Sequence, residues 1–499
     1  MKAVTKQEEK GKAFVCQELK DAIGPEKVLY EDIDVVTYGF DQSRVPFQRP
    51  SFVVLPENKE DVRETLKIAD KHKIPVTVLS GGVNVSGHCI PSEGGIVLDL
   101  RRINKIIEIN TGSGYALIES GVTYDKLNAA LAEKGFRCHI TTAPGGSTVI
   151  ASQMVRPSGS LANRHLDSLI DLEVVLPDGT IANTGSSHFP GAGYGLRYGP
   201  FPDLTGLFCC AHGTMGIVTK ASVRIYPINE SNRLNLMAFG DFDSSLKFVK
   251  EIINNNIPEH CIIWFWHLYR RYEVTYLPGS RVPQILPEMM ENPLNPPKGV
   301  PYNIVTTMMS GYEESMIVSE KICEKVAKKY GGRPISKEET DDQFSGSMRH
   351  WRPLYLEYHQ DRSNNPWGKG RYMPWIVMVE PQNAPKLEKW ALEKISSFGV
   401  RPVGYYAQPF DFGRSIFFRI FIYPDPQDQE LLDKVAATYR EMFDEALERY
   451  GAVQFRYRPG MNWLCEKTGE YRELLRRIKK AVDPNNILNP HFFFQEDNK

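Results

Sequence analysis

Between two strand-like runs, Pro75-Val-Thr-Val-Leu79 and Gly94-Gly-Ile-Val-Leu-Asp-Leu100, the chain carries Ser80-Gly81-Gly82-Val83-Asn84-Val85-Ser86-Gly87-His88. Glycines let a backbone come close to a ligand, and the N–H groups of such a turn converge on one point, which suits a pyrophosphate. The segment is not a P-loop, because Gly-x-x-x-x-Gly-Lys-Ser/Thr is absent, and no Gly-x-Gly-x-x-Gly opens a helix here. Alone, it reads equally well as a plain structural turn. His88 closes it, and a histidine so placed is either a structural hydrogen-bonding residue or a proton acceptor.

The surrounding motifs decide between those readings. Arg49-Pro50-Ser-Phe-Val-Val-Leu-Pro56 precedes an amphipathic helix from Lys59 to Lys73. After the loop come Ile118-Glu-Ser-Gly-Val-Thr-Tyr-Asp125, a helix ending at Gly135, Ala143-Pro144-Gly145-Gly146-Ser147-Thr148 and Leu172-Glu-Val-Val-Leu-Pro-Asp-Gly179. Asp203-Leu-Thr-Gly-Leu-Phe208 and Gly213-Thr-Met-Gly216-Ile217-Val218-Thr219 close the series, and Ala481-Val-Asp-Pro-Asn-Asn-Ile-Leu-Asn489-Pro490 follows near the C-terminus. This order resembles the FAD-binding domain of the vanillyl-alcohol oxidase and p-cresol methylhydroxylase superfamily, with a glycine loop of the length found in its glycolate-oxidase-like branch.

The resemblance implies FAD as cofactor and assigns residues to it. Ser80, Gly81, Gly82, Asn84, Val85 and Ser86 would meet the diphosphate. Pro144, Gly145, Gly146, Ser147, Ile150 and Ser152 would lie along the diphosphate, ribityl chain or ring. Gly216, Ile217 and Val218 would hold the cofactor through backbone groups, their bland alternative being a buried strand, and Asn489 would lie near the flavin. Val83 stands where some relatives attach flavin through histidine, and Ser415 or Ile416 where others attach it in the second domain, so dissociable, non-covalent FAD is expected.

The substrate side departs further from the family pattern. Tyr457-Arg458 resembles the pair that binds a phenolate, and stabilising that anion eases hydride loss. His88 replaces the loop tyrosine and becomes the candidate to hydrogen-bond substrate or take its proton. The acidic residue that some relatives place beside the flavin falls near Thr142, which carries no charge. The expected reaction is hydride transfer from a benzylic or carbinol C–H of a phenolic or aryl alcohol substrate to the flavin. Two alternatives remain: a 2-hydroxy-acid dehydrogenase of the lactate or glycolate type, and a flavoprotein subunit of a larger electron-transfer complex. The metal-binding His-x-Gly-Asp-Gly-Asn-x-His of hydroxy-acid enzymes is missing, so no metal is expected.

These residues need a scaffold of more than one core, since 499 residues exceed what one core usually supports. An α+β fold is expected: an FAD domain at 1–227 completed by 462–499, and a substrate domain at 228–461 with an antiparallel sheet and helices on one face. In the latter, strands are read at 235–242, 261–268, 302–310, 372–379 and 415–423, with helices at 244–256, 312–330, 385–398 and 427–450. It is rich in aromatics (Trp264, Phe265, Trp266, Trp351, Tyr355, Tyr358, Trp367, Tyr372, Trp375) and arginines (Arg349, Arg352, Arg371, Arg414, Arg419), as a ring pocket or an ordinary core would be. A net charge of −1 without basic tracts argues against nucleic acid as partner, and no run of about 18 apolar residues suggests a membrane span. Eight scattered cysteines without Cys-x-x-Cys fit free thiols in a cytoplasmic protein. A small-molecule substrate, an acceptor protein or oxygen, and a homodimer complete the expectations.

Overall fold

The computed structural model describes residues 6–41, 43, 45–83, 86–139, 143–156, 168–270, 294–355, 373–397, 404–422 and 427–494. Asn84, Val85, Thr142, Tyr358, Trp367, Arg371 and Tyr372 lie outside them, as do the side chains of Arg352 and Tyr355.

The first half builds two sheets. Helix α1 (Lys6–Ile23) and strand β1 (Phe52–Val54) lead to α2 (Lys59–His72), β2 (Val76–Leu79) and β3 (Ile96–Asp99). Asn58 caps α2 by accepting from the Glu60 and Asp61 N–H groups at 2.9 and 3.0 Å, and acids in its first turn with bases in its last complement the helix dipole. Strands β1, β3 and β2 run parallel in that spatial order, with Val28–Leu29 antiparallel at the edge. Then β4 (Ile106–Asn110), β5 (Tyr115–Glu119), α3 (Tyr124–Ala132), α4 (Val149–Met154), β6 (Leu169–Val175), β7 (Ile181–Asn183) and β8 (Ile217–Arg224) follow. They form an antiparallel five-stranded sheet ordered β4-β5-β8-β6-β7. Each sheet buries an aliphatic core, Val62, Leu66, Ile96 and Leu98 in the first, Ile118, Leu127, Leu172 and Ala221 in the second.

The C-terminal tail fastens onto these cores. Ile487 and Leu488 are fully packed in the first, and Leu475 and Ile478 lean on the second. The Val76 N–H donates to Ile487 O at 2.7 Å and the Asn489 N–H to Val76 O at 2.8 Å. The buried Lys479 ammonium pairs with Asp483 and donates to Thr214 O and Leu488 O, each at 2.8 Å. Every proton of that cation is therefore satisfied, as burial of a charge requires.

The second half is an eight-stranded antiparallel sheet made from β9 (Ser231–Phe239), β10 (His260–Phe265), β11 (Asn303–Gly311), β12 (Trp375–Val379), β13 (Tyr405–Phe410), β14 (Ser415–Ile420) and two short edges. The spatial order runs Arg333–Pro334, β9, β11, β10, β13, β14, β12, Val453–Gln454. Helices α5 (Phe242–Asn254), α6 (Glu313–Lys329), α8 (Ala384–Ser397) and α9 (Gln429–Tyr450) cover one face, and α7 (Ser345–Tyr355) brings Trp351 to the other. Side chains alternate along each strand, so Tyr405 faces the four helices and Tyr406 the opposite side. Cross-strand registers put Trp264, Tyr406, Arg419 and Ile376 on that second face.

Several expected elements shift. The strand expected at 235–242 occupies Ser231–Phe239, and the helix begins at Phe242 because Asp241 caps it by accepting from the Ser244 N–H at 2.7 Å. The strand expected through Leu268 ends at Phe265. Strand β13 and helix α7 were not foreseen, since Gly404 and Pro409 interrupt one pattern and Gly346 and Pro353 the other. With α7 in place, the helices do not all share one face.

Candidate active site

The glycine loop leaves β2 and meets the turn before α4. Ser80 Oγ donates to Ser120 O at 2.9 Å and shares a 2.8 Å hydrogen bond with Thr148 Oγ1. A Cβ on Gly81 would stand 3.0 Å from the Thr148 amide nitrogen, so glycine lets the two turns interlock. Gly82 and Gly87 have φ of +68° and +79°, which favour glycine, and a Cβ on Gly87 would strike Val45 at 2.2 Å. The Gly87 amide donates to Asp41 at 2.8 Å.

The second turn is built as tightly. Ser147 N–H donates to Pro144 O at 2.9 Å, while Asp125 and Tyr124 N–H groups donate to Gly145 O and Ser147 O at 3.1 Å. Gly145 is buried against Asp125, and Gly146 is exposed with open space on its side-chain side. Ile150 is buried in the second core and Ser152 hydrogen-bonds the Tyr124 phenol. These two residues support the turn from below. Gly216 packs its α-carbon against Val174, Phe208 and Leu176, and Ile217 and Val218 are buried sheet residues paired with Val175 and Val174. Their visible role is structural.

A flavin dinucleotide fits this donor set. Two interlocked glycine turns, one exposed glycine in each, and hydroxyls rather than lysines at their edges match a diphosphate met by backbone and neutral side-chain donors. Val83 is half-exposed and has no nucleophilic atom; Ser415 is half-buried and Ile416 buried.

Beyond the loop, His88 and His212 stack with ring centroids 4.5 Å apart, and Phe492 closes on both. The Asn489 side chain donates to His212 O at 3.0 Å, tying the tail to that histidine, and both residues hold positive φ, 43° and 51°. His88 Nε2 lies 2.8 Å from Tyr457 O. A carbonyl only accepts, so that nitrogen carries the hydrogen and Nδ1 keeps its lone pair. Burial, with lesser contributions from Arg458 and Arg456, lowers the His88 pKa to about 4 against the lift from that carbonyl. Burial, then His88 and Arg456, hold His212 well below the usual histidine range.

Tyr457 and Arg458 do not act as one clamp. Tyr457 donates its phenol to Asn462 Oδ1 at 2.9 Å and packs its ring on Phe492 and Phe493. Arg458 makes one weak bond, at 3.3 Å, to Pro374 O, and its buried Nε has no partner among the described residues. Arg456, which the sequence reading passed over, has the same unpaired buried Nε. Burial lowers both guanidinium pKa values, and for Arg456 the charge of Arg458 adds to it. Arg419 reaches the same region, donating to the Tyr406 phenol at 3.2 Å with its guanidinium 4.9 Å from the Phe421 ring centre. The Arg-x-Arg spacing around Tyr457 was the available signal for Arg456. His212, next to a loop glycine, offered none.

The remaining aromatics divide by face. Trp264 lies 5.5 Å from Tyr406 and 5.6 Å from Trp351, its indole N–H bonded to Thr306 Oγ1 at 2.9 Å. Phe265 and Trp375 belong to the helix-covered core, and Trp266 is fully buried. Arg414 is exposed and bonds Asp411 at 2.8 Å, and Arg349 is exposed, so neither joins the site. Among the described residues no three His, Cys, Asp or Glu gather as metal ligands, and no helix is long and apolar enough to cross a membrane.

Comparison with known proteins supplies the context. An FAD-binding domain model matches residues 50–185, and a model of the C-terminal domain of FAD-linked oxidases matches 418–492. The chain is 27% identical to the flavoprotein subunit of 4-cresol dehydrogenase (hydroxylating) from Pseudomonas putida, covering 95% of this chain and 94% of that protein. It is 24% identical to glycolate oxidase subunit GlcD of Bacillus subtilis, covering 97% of each. The crystal structure of p-cresol methylhydroxylase with substrate bound superposes with a TM-score of 0.83 at 23% identity, over 100% of this chain and 99% of that one.

Proposed function

We propose that this chain, which belongs to the FAD-dependent oxidoreductases of the vanillyl-alcohol oxidase and p-cresol methylhydroxylase superfamily, oxidises a benzylic or carbinol C–H of a phenolic or aryl alcohol substrate. The observation that carries this reading is the sheet face that holds Trp264, Tyr406 and Arg419, joined through Arg456, which is in electrostatic reach of Tyr406, to Arg458 and His88. Aromatic walls with a few convergent polar groups suit a ring that becomes anionic. FAD, when bound, supplies the two-electron acceptor. Arg458 is the cation for the developing oxyanion, because its one weak bond to Pro374 O leaves its Nε and further donors available. His88, neutral and held by Tyr457 O, offers Nδ1 to a substrate hydroxyl. Tyr457 is then a positioning residue, working through its carbonyl and through Asn462.

The proposed FAD is non-covalent, since Val83, Ser415 and Ile416 lack imidazole or phenol. The proposed setting is a cytoplasmic homodimer that passes electrons to oxygen or to an acceptor protein. Kinship with a flavoprotein subunit favours a protein acceptor. The hydroxy-acid reading draws on glycolate oxidase subunit GlcD and on D-lactate dehydrogenases among the relatives.

The test is anaerobic mixing of the yellow protein with 4-methylphenol, 4-hydroxybenzyl alcohol, and D- and L-lactate. Bleaching by the aromatic compounds alone supports the proposal, and bleaching by lactate alone transfers the chain to the hydroxy-acid class. Acid precipitation addresses attachment: colour kept in the pellet rules out dissociable flavin.

A further inference from the structure

Positive charge at the site exceeds what a phenolate needs. Arg456 and Arg458 flank Tyr457 just past the Val453–Gln454 edge, and both lie within electrostatic reach of the His88 imidazole. Arg456 also sits within electrostatic reach of Tyr406, Cys210 and His212, which places it where the sheet face meets the histidine pair. Its guanidinium lies over the ring of its neighbour Phe455, 5.6 Å from the ring centre, and its buried Nε has no hydrogen-bond partner among the described residues. Among the described residues, three other largely buried cations each meet a carboxylate: Lys479 with Asp483, Arg137 with Glu259, Lys220 with Glu173. A half-buried guanidinium with an unpaired Nε costs stability unless an anion comes to it.

We propose that Arg456, beside Arg458, forms a second anion subsite that takes a carboxylate carried by the aromatic substrate. This rests on the aromatic reading above and specifies its substrate class as hydroxyaryl carboxylates. A phenolate has one oxygen and is served by Arg458. A carboxylate has two oxygens in a plane, which the fork of a guanidinium matches, and in a site shielded from water such a pair discriminates strongly against a neutral analogue.

The holoenzyme tests this through the change in flavin absorbance on titration with 4-hydroxybenzoate, 4-hydroxybenzamide and 4-methylphenol. The acid should bind at least about 10-fold more tightly than the isosteric amide, the discrimination expected of a charge-assisted bond. Arg456→Met should erase that ratio while moving 4-methylphenol affinity far less, and Arg456→Lys should restore part of it. Equal binding of acid and amide by the unaltered protein overturns the proposal without any variant. So does an Arg456→Met protein that keeps the ratio but shifts the flavin reduction potential, because Arg456 would then serve the reduced cofactor. If the acid is preferred and Arg456-dependent but no phenol bleaches the flavin, the subsite stands and the aromatic oxidation reading falls.

Discussion

Tyr405 and Tyr406 are adjacent in β13, and their hydroxyls end in opposite electrostatic settings. Tyr405 turns toward the helices and donates to Glu388 at 2.8 Å; Tyr302 donates to the same carboxylate at 2.7 Å, and Asn303 donates to Tyr405 Oη at 3.3 Å. Tyr406 turns away from the helices, accepts from Arg419, and shares its neighbourhood with Arg456. The first cluster holds an acid satisfied by neutral hydroxyls. The second sets a phenol against guanidinium groups, Arg419 on its oxygen and Arg456 within electrostatic reach. A polar cluster that serves packing closes on itself, and one that serves a ligand stays open.

The largest effects should come from the tryptophans on the two faces. Trp375 and Trp264 are both buried, and replacing either by alanine should cost roughly 3–5 kcal/mol, read by denaturant unfolding. The comparison predicts a further split. Trp264→Ala should also change the relative rates on 4-methylphenol and bulkier 4-alkylphenols, because it removes the ring beside Tyr406. Trp375→Ala should leave that ratio alone. Equal disturbance of the ratio by both would mean the faces are not functionally distinct.

Next is pH. Burial pushes the Glu388 carboxyl up to about 7, with the Tyr302 and Tyr405 hydroxyls pulling the other way. An acid whose folded pKa lies above its unfolded value favours the protonated fold. Stability therefore falls as pH rises from about 4.5 to about 7 and stays flat above, a loss on the order of 2–4 kcal/mol. Glu388→Gln should remove that slope, so the difference between variant and parent unfolding free energies should grow in the variant's favour up to pH 7. A difference independent of pH would show that the carboxyl titrates normally. On the open side the sign reverses in kind: Arg456→Met, by deleting an unpaired cation, should leave stability unchanged or raise it by up to about 1–2 kcal/mol while weakening carboxylate binding. A large loss of stability would mean Arg456 has a structural partner after all.

The closed cluster was less legible in the sequence than the cofactor loop. Ser80 to Ser86 and Pro144 to Ser147 announce themselves because a close-approach turn demands glycine locally, whatever the rest of the chain does. Helices α2 and α9 were visible through their period. Strand β13 was not, although it carries both tyrosines, because Gly404 and Pro409 mask the alternation while its neighbours β10 and β14 hold it in the sheet. The pairing of Glu388 with Tyr302 and Tyr405 joins three elements distant in sequence. The same holds for Arg456 with His212. The motif residues Tyr457 and Arg458 were found, but their division of labour depends on Asn462 and Pro374, which only the fold brings to them.

The smallest predicted effect concerns His88, and it tests whether the open site is dry. With its folded pKa near 4, below its ordinary value, the fold favours the neutral ring. That contribution is complete above pH about 6.5 and is lost as pH falls through 4. Between pH 5 and 8 the rate of phenol oxidation should therefore show no inflection belonging to this histidine. His88→Gln keeps a side-chain N–H for Tyr457 O and should lower the rate without changing the shape of the profile across that window. An inflection near pH 6.5 in the parent that disappears in the glutamine variant would mean water reaches the ring. The cationic face would then be solvated, and Arg456 and Arg458 would need no ligand to balance them.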